Sequence, residues 1–169
     1  MPVHRLNHAV LYVRDVERSV AFYREALGFE VVMGMRGAAF LQAPGSTNDH
    51  DLGLFELGEN AAPSPAGRTS VGLYHLAWEV DTLDELERIA AKLAELGALV
   101  GSSDHSTTKA LYARDPDGLE FEVSWLVPAS LLTDETLAGR ATIRPLDLSA
   151  DKERYGARTR GGVGVSIPA

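Results

Sequence analysis

The sequence predicts an α+β protein built from two tandem βαβββ modules, followed by a C-terminal extension that belongs to neither module. The first observation is an internal repeat, since LNHAVLYVRD from Leu6 aligns with LYHLAWEVDT from Leu73, each with a His at its third position. The second is an amphipathic stretch after each of these apolar runs, ending at a Gly. The third is a set of three short β-like runs after each amphipathic stretch. A duplicated α+β unit accounts for all three observations.

The first module is expected over residues 4–57. Its helix is predicted from Asp15 to Leu27, because Asp15 can cap the N-terminus and Gly28 suits the left-handed residue that ends a helix. One helical face collects the apolar side chains of Val16, Val20, Phe22, Tyr23 and Leu27. Three strands are predicted after it, over Phe29 to Met35, Ala38 to Ala43 and Asp51 to Leu57.

The second module is expected over residues 71–126, after an exposed linker at 58–70 that is rich in Pro, Gly and Ser. Asp81 or Thr82 can cap its helix, and Gly97 ends it. The apolar helical face comprises Leu83, Leu86, Ile89, Ala90, Leu93 and Leu96. Strands are predicted over Leu99 to Gly101, Lys109 to Arg114 and Leu119 to Leu126, with a hairpin turn at Asp115-Pro116-Asp117-Gly118 before the last. The two modules together are expected to form one domain, 1–126.

The C-terminal extension, residues 127–169, carries six basic and five acidic residues, whereas the whole chain is acidic. A short helix is predicted near Thr133 to Ala138, and Gly139, Pro145 and Gly156 are expected to interrupt the rest. The simplest expectation is a segment draped over the surface or partly disordered. The alternative is a lid over the site or an arm that contacts a second copy.

The composition limits the class of partner. Sixteen Lys and Arg against 24 Asp and Glu give a formal net charge of −8, so we expect neither nucleic acid nor a membrane surface as a partner. The apolar runs fall short of the roughly 18 residues of a membrane span, and the start lacks the apolar stretch of a secretory signal. A cytoplasmic location is therefore expected. The sequence has 0 Cys, so any metal must be held by His and carboxylate side chains.

The repeat extends to residues that can bind a metal. His8 and His75 hold equivalent positions, and Glu56 and Glu122 follow them by 48 and 47 residues, each next to a Phe in its strand. Taken alone, Glu122 would be interpreted as a solvent-facing strand residue and His75 as a core histidine. Because the pattern recurs in both modules, His8, His75 and Glu122 are predicted to meet as two imidazoles and a carboxylate. Such a set suits Fe, Mn, Ni or Zn and leaves positions open for other ligands.

The segments LNHAVLYVRDVERSVAFYREALGFEVV, LYHLAWEV and YARDPDGLEFEV resemble the vicinal-oxygen-chelate superfamily, which comprises glyoxalases, bleomycin-resistance proteins and extradiol dioxygenases. The resemblance covers residues 4–126. It implies that the two modules enclose a metal-binding cleft. Carried over position by position, it implies His8, His75 and Glu122 as the metal ligands.

Further residues resemble the ring-cleaving, catechol 2,3-dioxygenase-like branch. Asn48-Asp49-His50-Asp51 is similar to the segment that carries an acid/base His, while His105 and Tyr112, 17 and 10 residues before Glu122, match a pair that binds substrate oxygen. Taken singly, these three could be exposed loop histidines and a packed strand tyrosine. The resemblance implies an Fe(II)-dependent extradiol dioxygenase of aromatic catabolism, an oxidoreductase acting on a catechol-type small molecule and O2. Mn, Ni or Zn are the alternative metals.

Two other functions remain open from the sequence. Glu56 lies where glyoxalase-type members have a fourth ligand, so His8, Glu56, His75 and Glu122 would also suit a lyase or isomerase that uses Ni or Zn to move a proton beside a carbonyl. The third function is a resistance protein that binds a small molecule without chemistry. Such a binder has no need for metal ligands. The resemblance also implies a homodimer.

Overall fold

The computed structural model describes residue 3 and residues 5–162. The expected start of the first module at residue 4 and the end of the extension, 163–169, lie outside the described residues. The chain divides into two compact units. The first ends at Pro65 and also includes the turn Asp115–Leu119, whereas the second comprises Ala66–Arg114 and continues from Glu120. The division between them falls inside the predicted linker.

The first unit contains a four-stranded sheet and one long helix. Its elements are β1 (Ala9–Val13), α1 (Val16–Leu27), β2 (Glu30–Met35), β3 (Ala38–Gln42) and β4 (Leu52–Glu56). The strand order is β1-β4-β3-β2, with β1 and β4 parallel and the other neighbours antiparallel. The helix α1 contacts β3 and β4. This is the βαβββ module that the sequence predicts.

The second unit repeats the same topology. Its elements are β5 (Leu76–Glu79), α2 (Leu83–Glu95), β6 (Leu99–Asp104), β7 (Thr108–Arg114) and β8 (Glu120–Leu126). The order is β5-β8-β7-β6, again with one parallel pair, β5 and β8. The predicted α+β fold with two βαβββ modules is therefore confirmed. Most strand boundaries lie within one residue of the prediction, and the largest difference is at β6, which continues beyond Gly101 to Asp104 and so includes Ser103.

Local residue choices explain how the long helices begin and end. The Asp15 carboxylate accepts the amide hydrogen of Arg18 and caps α1, and Gly28 ends that helix with φ at 76°. For α2, Thr82 rather than Asp81 is the cap, because its hydroxyl accepts the amide hydrogen of Glu85. Among the helices that the structure describes, none has the length and apolar character needed to cross a membrane.

Alternation along β8 separates the core from the candidate site. Phe121, Val123 and Trp125 are buried, and α2 packs against β8. Side chains on an extended strand point alternately to its two faces, so Glu122 lies on the opposite face. Ser124, on the Glu122 face, is also buried.

The C-terminal extension is folded over its described part, 127–162, and belongs to the second unit. It contains the predicted short helix, α3 (Asp134–Ala138), and a helix that the sequence analysis missed, α4 (Leu148–Tyr155). Asp147 caps α4 by accepting the amide hydrogen of Ala150, and Lys152 of α4 forms ion pairs with Asp84 and Glu87 of α2. The expectation of partial disorder is wrong for these residues, because a capped eight-residue helix fits between the two interruptions and is held by tertiary contacts.

Candidate functional site

His75 and Glu122 lie together in the second unit, at neighbouring positions of the parallel strand pair β5 and β8. The distance from His75 Nε2 to Glu122 Oε2 is 3.5 Å, and their side chains are 27% and 15% exposed. Two ligand atoms, each about 2.1 Å from one ion, stand roughly 3.0 to 3.5 Å apart. The pair therefore fits two ligands of one metal. The Nδ1 atom of His75 is buried without a hydrogen-bond partner.

His8 and His50 lie together in the first unit, with ring centroids 4.5 Å apart. His8 Nδ1 is 2.7 Å from the side-chain oxygen of Asn7. Since a carbonyl oxygen only accepts hydrogen bonds, this contact places the proton of neutral His8 on Nδ1 and leaves a lone pair on Nε2. A neutral imidazole nitrogen with a lone pair is what a metal ligand requires.

His50 has the arrangement of a positioned proton acceptor. Its Nδ1 is 2.9 Å from the Asp49 carboxylate, and its ring packs edge-on against Phe40 with centroids 5.1 Å apart. The Nε2 atom is buried and has no hydrogen-bond partner. In the neutral imidazole the carboxylate accepts the Nδ1 hydrogen, and this tautomer has its lone pair on Nε2.

The strand registers identify the residue of the first module that corresponds to Glu122. The residue two positions after His75 pairs with Glu122, and the residue two positions after His8 pairs with Gly53. Gly53 is therefore the counterpart of Glu122. Because Gly53 has no side chain, the first module supplies no carboxylate at this position.

Glu56, the candidate fourth ligand, is not the structural equivalent of Glu122. It lies three residues beyond Gly53 and so on the opposite face of β4. Its Oε2 accepts the amide hydrogen of Val16 at 3.2 Å, at the N-terminus of α1. The sequence alignment of Glu56 with Glu122 is corrected accordingly, since the shared Phe-Glu pair occurs at different registers in the two modules.

A closed hydrogen-bond ring joins His105, Tyr112 and Ser103 in the second unit. The Ser103 hydroxyl is 2.8 Å from His105 Nε2 and 3.0 Å from the Tyr112 hydroxyl, and His105 Nε2 is 3.0 Å from that hydroxyl. Sequence analysis predicted His105 and Tyr112 but missed Ser103. The sequence did contain a signal for Ser103, because it precedes His105 by two residues and side chains two apart on an extended segment share a face.

This ring adjoins the candidate ligand pair. Tyr112 pairs with Glu122 across the antiparallel strands β7 and β8, and its ring centroid is 6.2 Å from that of His75. Hydrogen-bond donors therefore stand beside the residues that would hold a metal.

The seven predicted site residues lie in separate groups within the two units. His8 and His50 are adjacent in the first unit, and Glu56 accepts an amide hydrogen at the start of α1. His75, Glu122, His105 and Tyr112 cluster in the second unit. Among residues 3 and 5–162, no group of three or more His, Asp or Glu side chains is arranged to hold a metal ion. The pair of His75 and Glu122 is thus the part of the predicted ligand set that this fold assembles within one unit.

Comparison with known proteins identifies relatives with several chemistries. The chain is 36% identical over 118 residues to "Catechol-2,3-dioxygenase" of Bacillus subtilis (strain 168), a match covering 70% of this chain and 40% of that protein. It is 27% identical over 126 residues to "Metallothiol transferase FosB" of Lysinibacillus sphaericus (strain C3-41), covering 72% and 82%. The chain thus spans less than half of the length of the first relative.

A solved structure and a family model agree with the fold. The glyoxylase/bleomycin resistance protein/dioxygenase domain from Frankia sp. EAN1pec superposes with a TM-score of 0.62 at 25% identity, covering 73% of this chain and 92% of that one. The model of the Glyoxalase/Bleomycin resistance protein/Dioxygenase superfamily matches residues 5–123. This match and the duplicated βαβββ topology show that the chain belongs to the Glyoxalase/Bleomycin resistance protein/Dioxygenase superfamily.

Proposed function

We propose that the chain is a metal-dependent extradiol dioxygenase, which opens the ring of a catechol-type substrate with O2. The observation that carries the proposal is the hydrogen-bond ring of Ser103, His105 and Tyr112 beside His75 and Glu122. Three hydrogen-bonding side chains at this place could bind and orient a substrate oxygen. We further propose that residues 1–126 act as one domain in this reaction.

The proposed metal ligands are His8, His75 and Glu122. The distance between His75 and Glu122 and the free lone pair on His8 Nε2 support this set. Two histidines and one carboxylate with open positions are typical of non-haem Fe(II) oxygenases, so Fe(II) is the proposed metal and Mn the first alternative. When bound, such an ion would supply the place at which the two catechol oxygens and O2 meet.

His50 is the proposed acid and base of the reaction. Its Nε2 lone pair can accept a proton from a catechol hydroxyl, while Asp49 stabilises the imidazolium that results. The same nitrogen then returns the proton to an oxygen of the ring-opened semialdehyde. In the balanced reaction one ring carbon–carbon bond is broken, both atoms of O2 enter the product, and His50 ends in its starting state.

Tyr112 and His105 are the proposed donors to substrate oxygen. Ser103 accepts or donates within the ring and holds both of them in place. A donor fixed in advance stabilises negative charge as it develops on an oxygen, because no reorganisation is needed during the reaction. These side chains would therefore orient the substrate and favour the oxygen-insertion step.

The similarity to a protein named as a catechol-2,3-dioxygenase supports this proposal, and the similarity to a metallothiol transferase defines the alternative. A lyase, isomerase or transferase with Ni or Zn needs no O2. Glu56 is the residue that favours a four-ligand glyoxalase site, and its hydrogen bond to the amide of Val16, at the start of α1, argues for the three-ligand proposal instead. O2 consumption therefore separates the two classes.

The test is O2 uptake by the full chain after anaerobic loading with Fe(II), over a panel of substituted catechols. Uptake accompanied by the yellow absorbance of a ring-opened semialdehyde is expected. Glu122→Gln should abolish uptake, whereas Glu120→Gln, at an exposed ion pair on the same strand, should retain it. If no catechol consumes O2 while the Ni or Zn form converts a hemithioacetal, the dioxygenase proposal is wrong and the glyoxalase alternative holds.

A further inference from the structure

The turn that carries His105 has an unusual backbone. Ser106, the next residue, has φ at 69°, and it is the one non-glycine residue with positive φ among those the structure describes. Serine seldom adopts this left-handed conformation, so neighbouring groups must hold it there. The direction of the His105 ring depends on this turn, because the ring is attached one residue before it.

A buried charge cluster, formed by Asp104, Lys109 and Asp151, holds the turn in place. Asp104 Oδ1 accepts the amide hydrogen of Ser106 at 2.6 Å and also lies 2.6 Å from Lys109 Nζ. Lys109 is 2% exposed. Its Nζ is 2.9 Å from Asp151 of α4 and lies over the ring of Tyr155. A buried ammonium group needs such partners, so Lys109 links the turn to the C-terminal extension.

The extension also touches the turn directly. Arg144 and Asp104 exchange two backbone hydrogen bonds, of 2.9 and 3.0 Å. Gly139 packs against Ser106 so closely that a Cβ atom there would be 2.6 Å from Ser106 Oγ. The Ser106 turn is therefore held on three sides by Arg144, Gly139 and, through Lys109, Asp151.

We propose that the C-terminal extension sets the orientation of the His105 ring, with Lys109 and Asp151 as positioning residues. The catalytic consequence rests on the proposed function, whereas the structural link does not. The path runs from Asp151 through Lys109 and Asp104 to the turn, and the ring then meets Ser103 and Tyr112. Weakening the path should let the turn relax and should move His105 Nε2 away from the two hydroxyl groups.

The test uses nuclear magnetic resonance of the full, metal-free chain with labelled histidines at one fixed pH. Asp151→Asn removes one of the two charge partners of Lys109 but keeps the shape of the side chain, and Gly139→Ala pushes on Ser106 without changing any charge. Both should shift or broaden the ring 15N and 1H signals of His105 and leave those of His50 unchanged. Glu153→Gln is the matched control, because Glu153 is an exposed residue of the same helix.

Thermal unfolding and amide spectra check that each variant is folded. If the His105 signals stay unchanged in either folded variant, or if Glu153→Gln moves them equally, the proposal is overturned. In a chain with dioxygenase activity, both variants should lower kcat about fivefold or more, with a smaller change in KM, the loss expected for about one misplaced hydrogen bond. Moved His105 signals in a chain without O2 uptake would support this link and refute the proposed function alone.

Discussion

Glu122 on β8 and Gly53 on β4 occupy the same register position in the two modules. The duplication therefore preserves the sheet but not the carboxylate, and one module alone supplies the acidic residue of the predicted metal set. A set of three protein ligands leaves more open positions than a set of four. A set of three ligands therefore agrees with the proposed reaction, in which substrate and O2 would both reach the proposed metal.

Glu56→Gln tests whether that residue caps a helix or binds a metal. We expect unchanged metal content and unchanged turnover, because Glu56 accepts the amide hydrogen of Val16. The free energy of unfolding should fall by about 0.5 kcal/mol, since a neutral amide interacts less well with a helix N-terminus than a carboxylate does. Metal analysis and urea unfolding measure both quantities. Loss of metal comparable with that in Glu122→Gln would restore Glu56 as a ligand.

Ser103→Ala tests the residue that the sequence analysis missed. Without the Ser103 hydroxyl, His105 and Tyr112 keep their mutual hydrogen bond but lose the third member of the ring. We expect turnover to fall about fivefold, equivalent to about 1 kcal/mol, with metal affinity retained. Ser102→Ala, on the other face of the same strand, is the control. Equal activity in the two variants would show that the ring has no role in turnover.

His50→Phe tests the acid and base role. Phenylalanine preserves the packing against His8 and Phe40 but has no nitrogen to accept a proton. The variant should bind metal as before and lose at least about 99% of its turnover, within the usual range for a general base. Steady-state O2 uptake, with metal content measured on the same sample, checks this. Turnover close to that of the unmodified chain would exclude His50 as the base.

Asp115→Asn should change how stability depends on pH. Burial raises the pKa of Asp115 above 3.8, although the amide hydrogens of Leu119 and Asp117 oppose the shift. The folded state therefore binds this proton more tightly than the unfolded state, and the carboxyl's contribution to stability is present at low pH. It is lost as pH rises from the unfolded pKa through the folded pKa.

Asparagine does not titrate, and its side-chain oxygen can still accept the two amide hydrogens. We therefore expect the free energy of unfolding of the unmodified chain to fall relative to that of Asp115→Asn as pH rises from about 4 towards neutral. Urea unfolding at a series of pH values measures the difference. A difference that stays constant across this range, or that changes with the opposite sign, would contradict the raised pKa.

Most of the fold could be predicted because its signals are local. Asp15 and Gly28 mark the ends of α1 by their own hydrogen bond and backbone angle, and neither depends on distant residues. The burial of Phe121 and Val123 follows from simple alternation. The helix α4 was missed because its short sequence between interruptions has little periodicity, and its buried residues Asp151 and Tyr155 are held by contacts with distant strands.

The sequence by itself determined the duplication and the two βαβββ modules, and it supplied the His and Glu residues that are proposed to bind a metal. Tertiary structure alone decided which residues correspond, because strand register depends on pairing between distant segments and an odd shift moves a side chain to the other face. In the second module Ala77 pairs with Glu122, and in the first module the equivalent residue, Val10, pairs with Gly53. Gly53, not Glu56, is therefore the counterpart of Glu122. It also brought Ser103 to Tyr112 and Asp151 to Lys109, since only folding places groups that are separated in the chain within hydrogen-bond distance.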